Sequence, residues 1–131
     1  MDVFEELDSQ FEVRARFPLL ITIKTSDEEY RLQACERGQD FLTGLGQNQR
    51  VFLSMHAIEA MSQPVVQTSL LTLAQALDEI ELPQRVLLNR KNQLVWWLGL
   101  YEGHLRFKDH RETFYLPGEN LRNLVLVAVD N

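Results

Sequence analysis

Cysteine occurs once in the 131 residues, at Cys35, so no disulfide can form within the chain. That usage fits a reducing, cytoplasmic location. Long apolar runs are also missing: the stretch 95–101, interrupted by Gly99, falls far short of the roughly 20 residues that cross a bilayer. No membrane helix is expected. Asp2, Glu5 and Glu6 make the start of the chain acidic where a secretory leader needs a basic segment, so no leader is expected either. Basic charge is scarce, with 13 Lys and Arg against 19 Asp and Glu and a net charge of −6. Because nucleic-acid binding draws much of its affinity from phosphate neutralisation, such a chain would need a local basic face.

Signatures of reaction chemistry are lacking as well. His56, His104, His110 and Cys35 fall into no CxxC, HExxH or HxH grouping, and no nucleophile elbow is present. Cys35 reads as a small packed hydrophobe. Gly44 and Gly46 lie in the hairpin-like stretch 43–48, without the strand-to-helix context of a dinucleotide fingerprint, and read as a turn. The acidic run Asp27, Glu28 and Glu29 matches no calcium loop and reads as a solvated turn. The expectation is no catalytic residue, no metal, no cofactor and no enzymatic activity.

What the chain does contain is a repeat. Pro18 and Pro83 each precede an apolar alternation, Leu19, Ile21 and Ile23 in one case and Val86 and Leu88 in the other. A polar turn and a second strand-like stretch follow in both copies, ending at Gly38 and Gly103, again 65 positions apart. Residues 51–58 and 114–121 match at an offset of 63, as a second hairpin two residues shorter would produce. Helical patterns precede both copies. Val3, Phe4, Leu7 and Phe11 form one stripe; Leu73, Leu77 and Ile80 form the other, with Thr72 and Gln75 at capping-box spacing. Pro83 stops the second helix by disfavouring helical geometry at Leu82, and 62–69 reads as the linker.

The expected fold class is therefore mainly β, with five short antiparallel strands per copy and an α-helix before each. The expected division is 1–64 for the first helix and its strands and 65–131 for the second. Units this small are near the lower limit of independent stability, so they are expected to pack as one body.

The order helix, Pro-led strand, polar turn, long bent strand ending near a glycine, hairpin and short closing strands resembles the Sm-like small β-barrel, in two copies over nearly the whole chain. The chain is also similar to an uncharacterised, largely actinobacterial family of two-repeat bacterial proteins with no assigned activity. The residues that carry this likeness are 3–10, with Phe4, Leu7 and Gln10; 38–42, with Asp40 leading Phe41 and Leu42; 51–58; and 78–83 before the second copy. The resemblance implies a tandem Sm-like fold and no mechanism. Sm-type rings hold RNA bases with an acidic loop and an arginine-glycine loop. Here the later loops are Ser54, Met55 and His56, and Pro117, Gly118 and Glu119, which lack the arginine-glycine pair.

Two surfaces stand out. Strand alternation puts His104, Arg106, Lys108 and His110 on one side and Leu105 and Phe107 on the other, with Arg111 following. The simpler reading is a solvated outer face; the alternative is a site for nucleic acid, phosphate or an acidic partner. Trp96 and Trp97 are adjacent, so in a strand they point to opposite faces. Either both are covered within the protein, or one is exposed and marks an interface. Leu98, Leu100 and Tyr101 extend this strand's apolar character and favour burial on both faces.

The run 124–129 reads as an apolar strand edge with no charge to blunt it, and such edges pair. Trp96, Trp97, Leu124, Val125, Leu126 and Val127 are accordingly the candidate interface. The favoured function is binding or scaffolding through a protein partner or a homo-oligomer, a dimer or larger. An Sm-like module for RNA or single-stranded DNA, using the basic row, is the alternative; no membrane association is expected.

Overall fold

The computed structural model describes residues 19–47, 49–88, 93–117 and 124–129. The helix predicted over Val3 to Phe11 lies outside them. Ten strands form among the described residues: β1 (Ile21–Lys24), β2 (Glu29–Arg37), β3 (Phe41–Gly46), β4 (Gln49–Ser54), β5 (Ala60–Met61), β6 (Gln84–Leu88), β7 (Gln93–Tyr101), β8 (His104–Lys108), β9 (Thr113–Leu116) and β10 (Val125–Ala128). A 3-10 turn, Met55–Ala57, leads into β5, and one helix, α1 (Leu73–Asp78), precedes β6. No described helix is long and apolar enough to cross a membrane.

All ten strands belong to one antiparallel sheet in the order β5-β1-β2-β3-β4-β10-β6-β7-β8-β9. Each half of the chain thus sets its fifth strand beside its first. The register repeats with the sequence: Ile23 stands opposite Met61, and Leu88, 65 positions later, stands opposite Leu126. Both long strands bend at a matching irregularity. β2 slips register between Gln33 and Glu36 and β7 between Trp97 and Gly99, and each carries a positive φ there, Ala34 at 51° and Gly99 at 95°. One extra residue at such a bulge kinks the strand and increases its twist.

The hairpins differ as expected in one place and oppositely in another. Residues 38–41 separate the paired Arg37 and Leu42, against 102–103 between Tyr101 and His104. The next turn reverses this, with 47–48 between Gly46 and Gln49 against 109–112 between Lys108 and Thr113, so β4 and β9 correspond at an offset of 65 and the expected match of 51–58 with 114–121 at 63 is corrected. The stretch 43–48, expected to be a turn, is mostly strand. β3 runs to Gly46, because Thr43 and Gly44 pair with Phe52 and Val51. Glycine is required at Gly44 for space rather than for turning, since an added Cβ would lie 2.9 Å from the Leu32 Cβ.

The centre of the sheet corrects the expectation of an unpaired edge at 124–129. β10 pairs with β4 on one side and β6 on the other, with Leu126 opposite both Phe52 and Leu88. Two apolar clusters lie against these central strands. One holds Val86, Val95, Trp97, Leu105, Phe107 and Leu126 together with Phe41 and Phe52 from the first half. The other holds Ile21, Ile23, Leu32, Val51 and Leu53 together with Val125 from the second. Alternate residues of β4 and β10 therefore face different cores. An unbroken apolar run is what a strand buried on both faces requires.

α1 closes one end. Thr72 accepts the Gln75 amide at 3.3 Å and the Gln75 side chain accepts the Thr72 amide at 2.9 Å, completing the capping box. Leu73, Ala76 and Leu77 are buried, and the Leu73 amide donates to Asp40 Oδ1 at 2.7 Å. The 62–69 connection is tied down at Arg37, whose amide donates to Gln67 O while its carbonyl accepts from the Ser69 amide, both at 2.8 Å.

Candidate functional site

The two tryptophans separate as alternation demands, with unequal outcomes. Trp97 is fully buried and its Nε1 donates to Leu77 O at 3.1 Å, which satisfies its one polar atom with a carbonyl of α1. Trp96 is 38% exposed on the opposite face. The expectation that β7 is buried on both sides is thereby corrected: Leu94 and Tyr101 are exposed on the Trp96 face too.

Four strands build this face. Arg85 on β6 stands opposite Trp96 on β7, and Trp96 stands opposite Lys108 on β8. At about 4.8 Å between strands, the row spans about 10 Å from the first cation to the second. The Arg85 guanidinium carbon lies 5.5 Å from the Trp96 ring centroid, within cation–π range. A depression of about 350 Å³ opens here, lined by Arg85, Leu94, Trp96, Lys108, Asp109 and His110. The one carboxylate in it, Asp109, accepts the Arg111 and Glu112 amides at 2.7 and 2.8 Å through Oδ1. It thus organises the turn after β8.

A second group lies further along the same face. Arg106 donates from Nη2 to Leu98 O at 3.1 Å and its guanidinium carbon stands 5.5 Å from the Tyr101 ring. Tyr115, opposite Arg106 on β9, brings its ring to 5.9 Å from that of Tyr101. Arg106 is half-buried as a result, and its Nε is buried without a partner. Aromatic rings and guanidinium groups thus alternate over one sheet surface, while Leu105 and Phe107 point into the core.

The basic row His104, Arg106, Lys108, His110 and Arg111 is placed partly as expected. His104, Lys108, His110 and Arg111 are exposed. His104 Nδ1 lies 2.9 Å from Glu102 O at the β7–β8 turn, away from the depression. The candidate interface residues fare differently. Leu124, Val125 and Leu126 are buried inside the chain and Val127 is half-buried, so none of the first three offers a surface. Arg85, Tyr101 and Tyr115 were not legible as site residues. Their signal is cross-strand register, which a single sequence does not display.

Cys35 is half-buried and its Sγ lies 3.6 Å from Leu32 O; burial pushes the thiol pKa up, away from a reactive thiolate. His56 is exposed at the 3-10 turn. The described residues contain no group of three metal-ligating side chains. A second hollow, of about 450 Å³, is lined by Tyr30, Leu32, Val51, Leu87 and Val127 with a rim that includes Glu28 and Arg31. No protein-family model, no curated protein and no solved structure matches the chain.

Proposed function

We propose that this chain is a non-enzymatic binding protein, built as two Sm-like small barrels merged edge to edge, whose outer β6–β9 face holds single-stranded nucleic acid. The tandem reading is supported by the strand order fifth-first-second-third-fourth in each half and by the register repeated at 65 positions. The binding reading rests on one observation, the row Arg85, Trp96 and Lys108 across three adjacent strands. An exposed indole stacks on any base, and flanking cations neutralise the phosphates on either side, which is the chemistry of sequence-tolerant single-strand binding. Tyr101, Arg106 and Tyr115 provide a second platform about 7–13 Å along the strands, since Arg106 and Tyr115 lie two positions and Tyr101 four positions from the level of Lys108, taking about 3.3 Å per residue. Nucleic acid gains over a protein partner here because the apolar run that favoured the latter, 124–129, is used up within the chain. The net charge of −6 confines binding to this face and makes it weak in high salt.

The test is fluorescence anisotropy of a labelled oligothymidylate at about 50 mM and about 200 mM salt. Binding at the lower salt that weakens at least about tenfold in Trp96→Ala supports the reading, since one stacked base contributes about 1–3 kcal/mol. Arg85→Glu with Lys108→Glu is expected to abolish it. Absence of binding at the lower salt, or binding indifferent to both changes, refutes it.

A further inference from the structure

The face that carries Trp96 does not end with the second half of the chain. Leu94 shares its side of β7 with Trp96, and Leu87 shares its side of β6 with Arg85, because Val86, Leu88, Val95 and Trp97 point into the opposite core. The registers carry this side onward: Leu94 stands opposite Leu87, Leu87 opposite Val127, and Val127 opposite Val51. Val51 lies in the core of the first half and Val127 packs against it. The outer side of one half is therefore continuous with the inner side of the other. The two hollows adjoin along it, since Leu94 lines the depression beside Trp96 and Leu87, its cross-strand neighbour, lines the larger hollow beside Tyr30.

Together they form an aliphatic ladder across four strands, about 14 Å from Leu94 to Val51 at about 4.8 Å between strands. Its ends are unlike. Arg85, Lys108 and His110 stand at one, and Glu28 and Glu29 rim the other. Asp109, the carboxylate lining the cationic end, is held by the Arg111 and Glu112 amides. Between the ends the four side chains are hydrocarbon, and β6 and β10 are each paired with a strand on both sides, so their backbone is already engaged. A peptide lying across such a floor would bury amides without partners, whereas an alkyl chain has none to bury. We infer that this groove binds a free fatty acid, its carboxylate at Arg85 and Lys108 and its tail along Leu94, Leu87 and Val127 towards Tyr30. The acidic rim sets that direction by repelling a carboxylate from the far end. Arg85 and Lys108 also belong to the proposed nucleic-acid face, so the two ligands exclude each other. The ladder belongs to the fatty acid alone, and either reading can fail without the other.

Isothermal titration with dodecanoate, kept below its micelle concentration, tests this with no nucleic acid present. The expected result is saturable binding of one dodecanoate per chain, with none of butyrate, which keeps the head and loses the tail, and none of dodecylammonium, which reverses the head charge. Val127→Thr sets a hydroxyl against the tail and should weaken dodecanoate by about tenfold or more, while the anisotropy of oligothymidylate stays unchanged. Leu94→Glu, at an exposed position that the fold tolerates, should abolish dodecanoate binding even where Val127→Thr proves poorly folded by circular dichroism. The inference is overturned if dodecanoate gives no saturable heat, if butyrate or dodecylammonium binds as tightly, or if Leu94→Glu binds unchanged. Binding to phosphatidylglycerol vesicles without binding of free dodecanoate also overturns it, as does an acetylated leucine tetrapeptide that displaces dodecanoate on equal terms.

Discussion

Met61 and Leu126 are the same position twice: each stands opposite the last residue of the apolar alternation that opens its half, Ile23 or Leu88. One lies on an open edge and the other in the middle of the sheet. The difference between them is the join between the halves, because β4 pairs with β10 on its far side while β9 has no strand beyond β8 among the described residues.

The tryptophan pair separates stability from binding. Trp97 is fully buried against Phe107 at 5.2 Å between ring centroids, and Trp97→Ala should cost about 3–5 kcal/mol in urea unfolding. Trp96→Ala on the open face should cost roughly 1 kcal/mol or less while removing the stacking surface. Equal destabilisation by the two would contradict the burial.

The two bulges make a paired backbone prediction. Gly99→Ala forces a Cβ onto a residue at φ 95° and to 2.9 Å from Leu82 Cδ1, and should lower stability by about 1–2 kcal/mol. Ala34→Gly, at φ 51° in the equivalent bulge, relieves a left-handed alanine, and its gain is offset by the entropy of glycine in the unfolded chain. Its midpoint of thermal unfolding should move little or upward.

Thr72→Ala removes the side chain that accepts the Gln75 amide, and should destabilise the fold by about 1 kcal/mol. Gln75→Ala removes the reciprocal bond. The two effects should combine less than additively in a double-mutant cycle, since both act on one box.

Tyr30 gives a pH signature. Burial, then the neighbouring Glu28 carboxylate, raises its phenol pKa from 10.0 to about 12. The unfolded chain releases this proton first, so the contribution to stability is complete below pH 10 and is lost as the pH climbs towards about 12. Ultraviolet titration should find one tyrosine ionising late, and Tyr30→Phe should flatten that part of the stability curve. A Tyr30 that titrates at its ordinary value would remove the effect.

The sequence by itself determined the strands, the helix cap and the repeat. Alternation in 21–24 and 84–88 and the Thr72 and Gln75 spacing are local features, which local sterics and capping hydrogen bonds enforce, and the offset of 65 is read by comparing one half of the chain with the other. It also placed Trp96 and Trp97 on opposite faces, since successive strand residues must diverge.

Which face stays open was decided by the tertiary structure. The run 124–129 has the same composition whether it is a bare edge or a strand between two cores, and only its pairing with Phe52 and Leu88 separates these cases. Arg85, Trp96 and Lys108 lie 11 and 12 positions apart in the chain, and become neighbours only through the registers of β6, β7 and β8. Those registers are set by what the inward residues Val86, Trp97 and Phe107 bury together, so the outward face follows from the packing of the core.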